Sequence, residues 1–144
     1  MSFHFNLQKV LDYREQLEEE AKVRLGKAEH ELANAEKKLD SLKQEYASAQ
    51  EASSGKIMKS DERWLHDQFI KGLKADINEA GLQVRMCAQM AEEARKLLTA
   101  RSLDKKLLEK LKNRKRNNYL KEEQKQEQNF NDEIATIRYK ATSF

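Results

Sequence analysis

One repeating feature dominates this chain. Positions 3, 7, 10, 14, 17, 21, 25, 28, 32, 35, 39, 42, 46 and 49 hold Phe, Leu, Val, Arg, Leu, Ala, Leu, Ala, Leu, Ala, Leu, Leu, Tyr and Ala. Thirteen of the fourteen are apolar, and the steps are threes and fours. Side chains at that spacing collect on one face of an α-helix. Between them stand mostly Glu, Lys, Gln and Arg, which leaves the rest of the circumference wet. So narrow a stripe cannot be one wall of a thick globular core. It is a coiled-coil seam and requires a partner helix.

Two fours follow one another from Leu17 to Ala21 to Leu25, so this spacing predicts a stutter that unwinds the supercoil locally. Leu alternates with Ala between 21 and 35. Alanine knobs let helix axes approach but bury little area, so that part of the seam should be weakly held. The chain has no proline, four glycines and 37% charged residues, a composition of long helices around little core.

The first helix should run from about Phe3 to Ser53 and end at Ser53-Ser54-Gly55. Serines there compete for backbone hydrogen bonds, and glycine accepts the left-handed conformation that closes a helix. Residues 54–60 form the connection, and Ser60 is the expected N-cap of a second helix from about 61 to 140. That helix carries its own stripe: Phe69, Leu73, Ile77, Ala80, Val84, Cys87, Ala91, Ala94 and Leu98. A short connection makes the pair antiparallel. Matching the stripes sets Tyr46 against Phe69, Leu42 against Leu73, Ala35 against Ala80, Leu32 against Val84, Leu25 against Ala91 and Leu17 against Leu98. Arg14 then falls beside Arg101, where both side chains should snorkel outward, and Leu7 against Leu108 closes the far end. The expected fold is all-α, a long antiparallel two-helix coiled coil, or helical hairpin, with the second helix extending beyond the first.

From about residue 113 that second helix should overhang its partner by roughly 40 Å at ~1.5 Å per residue. A small stripe on the overhang, Phe130, Ile134, Ile137 and Ala141, has no partner within the chain and points to an external one. Charge is uneven along it. Lys105, Lys106, Lys110, Lys112, Arg114, Lys115 and Arg116 place seven bases within twelve residues against one acid, Glu109; Glu122, Glu123, Glu127, Asp132 and Glu133 follow. The basic run is by default a solvated face; it could also meet phosphates or guide docking onto an acidic protein surface.

Catalysis needs convergent polar groups in a concave pocket, and a helix pair offers none. His4, His30 and His66 lie far apart and lack metal-ligand spacing. Cys87 falls on the seam as a small buried thiol and fits a reducing compartment. No phosphate-binding glycine loop, signal peptide or membrane-spanning apolar run is visible. The expectation is no enzyme, no cofactor, no metal, and a cytoplasmic address. Two other readings are a basic-tailed coiled coil that binds nucleic acid or ribosomes, against which the acidic stretch argues, and a parallel dimer of unbroken helices, against which Ser53-Ser54-Gly55 argues.

Three segments resemble the FliJ family of the bacterial flagellar type III export apparatus: the opening from Phe3 and Phe5 through Leu7, Val10, Leu11, Tyr13 and Arg14 to Glu15; the tip segment Arg63-Trp64-Leu65-His66-Asp67-Gln68-Phe69-Ile70; and the closing Asp132-Glu133-Ile134-Ala135. The resemblance covers essentially the whole length. It implies a monomeric cytoplasmic coiled coil, similar to the central stalk of rotary ATPases and held peripherally at the inner membrane of the flagellar base. Its paired termini would sit in a hexameric export ATPase. It would also contact the export gate, a membrane protein with a large cytoplasmic domain, and escort substrate chaperones, with no nucleic acid involved. Carried over by position, the gate-binding residues would be Leu39, Leu42, Tyr46, Phe69 and Leu73, with Ala35, Asp76 and Ala80 completing the surface but departing from the family in residue type. The residues placed for the ATPase ring are Phe3, Phe5, Leu7, Arg14, Leu108, Lys112, Arg114, Lys115, Arg116, Phe130, Ile134 and Ile137.

Overall fold

A computed structural model describes residues 2–142. Two helices form the described chain: α1, Gln8–Ser53, and α2, Ser60–Thr142. They pack against each other in opposite directions, and α2 is the longer by far, at 83 residues against 46. The fold is an all-α antiparallel two-helix coiled coil. The chain divides into a terminal unit, residues 1–18 with 101–144, and a second unit, residues 19–100.

Between the helices the chain turns as its residue types dictate. The Ser54 amide donates to the Glu51 carbonyl at 3.2 Å, and Gly55 takes φ +75°, where a Cβ would clash with its own backbone. Alanine at position 55 is therefore expected to cost about 1 kcal/mol, read from a urea titration. Ser60 is the first residue of α2 rather than the cap before it. The Lys59 carbonyl accepts from the Arg63 amide at 2.9 Å, and Asp61 and Glu62 stand in the first turn, against the positive end of the helix.

The buried and half-buried positions of α1 are Gln8, Leu11, Arg14, Leu17, Glu18, Ala21, Leu25, Ala28, Leu32, Ala35, Leu39, Leu42, Tyr46, Ala49 and Ser53, spaced by threes and fours apart from the adjacent pair Leu17 and Glu18. Where the stutter is expected, two adjacent residues turn inward, Leu17 half-buried and Glu18 buried. Glu18 takes the inward position at 6% exposure, because Lys105 supplies it with a counter-charge. Seam positions on α2 are Ile70, Leu73, Ile77, Ala80, Val84, Cys87, Ala91, Ala94, Leu98, Arg101, Lys105, Leu108 and Lys112.

In the second unit the helices pair about one turn away from the match expected from the stripes. Glu29 Oε1 lies 3.7 Å from Arg95 Nη2, and Lys74 Nζ stands 6.0 Å over the Tyr46 ring, both on the far side of the partners that the stripes predict for these residues. Phe69, expected in the seam, is 50% exposed, and Ile70 is the inward residue. A slip of three or four residues carries each seam residue to another seam position, so apolar matching alone cannot choose between the two registers.

In the terminal unit α1 begins at Gln8, not Phe3. Phe5 lies before the helix, where helical spacing does not govern its direction, and folds inward to 4% exposure. Phe5, Leu11 and Leu108 form the core of this unit, with Phe3 and Leu111 against it. Leu7, expected opposite Leu108, is instead 36% exposed and Val10 40%.

Candidate partner interface

Taken from the terminal unit upward, the residues placed for a ring partner divide by burial. Phe5 and Leu108 are core. Phe3 is half-buried with its ring centroid 5.7 Å from that of Tyr119, tilted by 48°. Arg14 does not snorkel beside Arg101: its Nη1 donates to the Asp104 carbonyl at 2.7 Å. Lys112 Nζ donates to Gln8 Oε1 at 2.7 Å. These five therefore fasten the chain's own N-terminal segment to α2.

A contact that periodicity missed completes this fastening. Lys105 Nζ donates to Glu18 Oε1 at 2.9 Å, with Glu109 at 3.9 Å. The hydrogen bond to Glu18 raises the Lys105 ammonium above the ordinary lysine value, burial opposing it more weakly. Lys105 accordingly stays charged at neutral pH, and what the shift contributes to stability fades only as alkali passes its raised value. The signal available in the sequence was a Glu and a Lys each recurring at seam spacing.

Arg114, Lys115 and Arg116 are exposed, as is every described residue beyond Tyr119 apart from half-buried Ile134. Phe130 is 61% exposed and Ile137 66%. Lys110, Asn113, Arg114, Asn117, Asn118 and Lys121 share one shallow face of α2. The accessible part of the ring set is thus Leu7, the three bases Arg114, Lys115 and Arg116, and the apolar trio on the arm.

Near the connection, Leu73 and Ala80 are buried, while Leu39, Leu42, Tyr46 and Ala35 are half-buried. The Tyr46 hydroxyl accepts from Gln50 Nε2 at 2.7 Å, and Lys74 Nζ stands 6.0 Å over its ring, within cation–π range. Phe69, at 50% exposure, is the most exposed large apolar side chain of the gate set. Trp64 at 61%, Leu65 at 62% and Ile57 are exposed near the same end of α2; periodicity gave these three no role, since they lie off the seam.

Cys87 is buried, with Gln83 Nε2 3.9 Å from its Sγ. Among the described residues no group of three or more His, Cys, Asp or Glu is placed to hold a metal ion, and no helix is long and apolar enough to cross a membrane.

The family model for the flagellar FliJ protein matches residues 3–143 of the 144. The chain belongs to the FliJ family. That ties it to flagellar protein export, in which the FliJ family is a non-enzymatic component. No curated protein and no solved structure matches the chain. The FliJ match spans both units, so the terminal fastening, the arm and the surface around Phe69 all fall within the family region.

Proposed function

We propose that the chain is a non-catalytic stalk and adaptor of the flagellar export machinery, working as a monomer at the cytoplasmic face of the inner membrane. Its terminal unit enters the hexameric export ATPase, the surface around Phe69 contacts the export gate, and the same chain escorts export chaperones. The observation that supports this most is the exposed arm of α2: beyond Tyr119 almost every described residue faces solvent, yet Phe130, Ile134 and Ile137 keep helical spacing. An apolar face left bare on one helix is suited to a partner outside the chain.

An asymmetric coil inside a symmetric ring meets each subunit with different side chains. It can bias turnover only if those contacts differ in strength among the subunit states, because equal contacts shift nothing. Arg114, Lys115 and Arg116 on one side of Tyr119 and Glu122, Glu123 and Glu127 on the other supply such unequal contacts. Buried Phe5, Leu11 and Leu108 hold the N-terminal segment beside them.

The test is ATPase turnover of the purified ring with the full chain, with a version ending at Leu111, and with Arg114, Lys115 and Arg116 all changed to Glu. Stimulation is expected from the full chain, with most of it lost in the other two. Absence of stimulation by the full chain defeats the stalk reading; undiminished stimulation by both variants removes the arm from it.

A further inference from the structure

The seam of the second unit accepts two registers. In the observed one Arg95 reaches Glu29 and Lys74 stands over the Tyr46 ring, and Phe69 is half exposed. Displaced by one turn, Tyr46 meets Phe69, Leu42 meets Leu73, Ala35 meets Ala80, Leu32 meets Val84 and Leu25 meets Ala91. Every such layer is still apolar, and the alanines offer no steric obstacle. The connection of residues 54–59 contains Gly55 and can absorb a displacement of ~5.4 Å, one helical turn, since each extended residue spans ~3.3 Å or more.

The terminal unit is not so permissive. The same displacement there would bring Arg14 beside Arg101, set Glu18 against Leu98 and set Lys105 against Leu11. It would give up the Glu18–Lys105 bond at 2.9 Å and the bond from Arg14 to the Asp104 carbonyl at 2.7 Å. Leaving a buried carboxylate opposite a leucine is costly, and a single polar layer can fix the register of an otherwise apolar coiled coil.

We propose that α1 and α2 can pair in a second register one helical turn from the observed one, and that Glu18, Lys105 and Arg14 form the latch holding the observed register. Releasing the latch slides the helices past one another and draws Phe69 from solvent into the seam against Tyr46. A partner that displaces Lys105 from Glu18 in the terminal unit thereby changes which apolar side chains the second unit shows.

Spin labels test it, with Cys87→Ala removing the native thiol. Lys37, Gln68 and Lys96 are exposed; changed to Cys in pairs, they report 37-to-96 and 37-to-68 distances. The parent latch should give one population for each pair. With Glu18→Leu and Lys105→Leu, a second population should appear, the 37-to-96 distance about 5 Å longer and the 37-to-68 distance about 5 Å shorter. Exchanging the charges, Glu18→Lys with Lys105→Glu, should restore the single parent population. Unchanged distances in the Leu double variant with helicity retained overturn the proposal. Broadening of both distances together also overturns it, since that reports loosened helices rather than a slide.

Discussion

Replacing Leu11 by alanine should lower the unfolding free energy by about 2–4 kcal/mol. Leu11 is 2% exposed and touches the other two members of the terminal core, Phe5 and Leu108. Both flanking elements are held in place, Phe5 by the turn before α1 and Leu108 by α2, so neither can collapse freely into the space a leucine leaves. The buried residues of the second unit are, apart from Leu73, alanines and a cysteine, each burying far less area. Truncating half-buried Leu32 or Val84 should therefore cost less, about 1–2 kcal/mol. Urea unfolding of the three variants checks the order. Equal losses would mean that the terminal core is no tighter than the alanine seam.

The opposite sign is expected at three glycines. Gly26, Gly72 and Gly81 all lie inside helices, and a Cβ added at any of them meets nothing within 4 Å. In a helix interior glycine is less favourable than alanine by ~0.8–1 kcal/mol, through backbone entropy in the unfolded chain. Converting all three to alanine should raise the unfolding free energy by about 2 kcal/mol, since the sites are too far apart to couple strongly. Chemical denaturation measures it directly, and circular dichroism should show unchanged helix content. A loss of stability would mean that one of these glycines is needed for close approach of the helices.

How far the residues alone reveal this structure depends on where one looks. From Ala21 to Ala49 the inward face of α1 follows from spacing, because nothing competes with the Leu and Ala stripe. Near the N-terminus two series overlap, one through Leu7, Val10 and Leu17 and one through Leu11, Arg14 and Glu18. Arg14 belongs to both; apolarity favours the first, but the chain buries Leu11 and Glu18 more deeply than Leu7, Val10 or Leu17, because Phe5 precedes the helix and Lys105 answers Glu18. Register was illegible for a related reason: a one-turn displacement preserves every apolar layer of the second unit, so the choice falls to charged contacts, buried Glu18 with Lys105 above all and exposed Glu29 with Arg95 beside it. Of the surfaces proposed for partners, the exposure of the arm with its basic run and apolar trio could be read from composition and spacing. Residue type could not separate Phe5 and Leu108, which fill the core, from Leu7, which reaches solvent. Trp64, Leu65 and Ile57 stayed hidden because an off-seam apolar residue near a turn carries no periodic signature.

The most direct test of the stalk account is hydrogen exchange of the chain alone and with the hexameric export ATPase. Amides of α2 beyond Tyr119 have no second helix over them and should exchange quickly in the free chain, well ahead of those around Leu108. Adding the ring should slow exchange over residues 113–142 by tenfold or more and leave the segment around Phe69 unchanged. Protection around Phe69 with none on the arm would contradict the account.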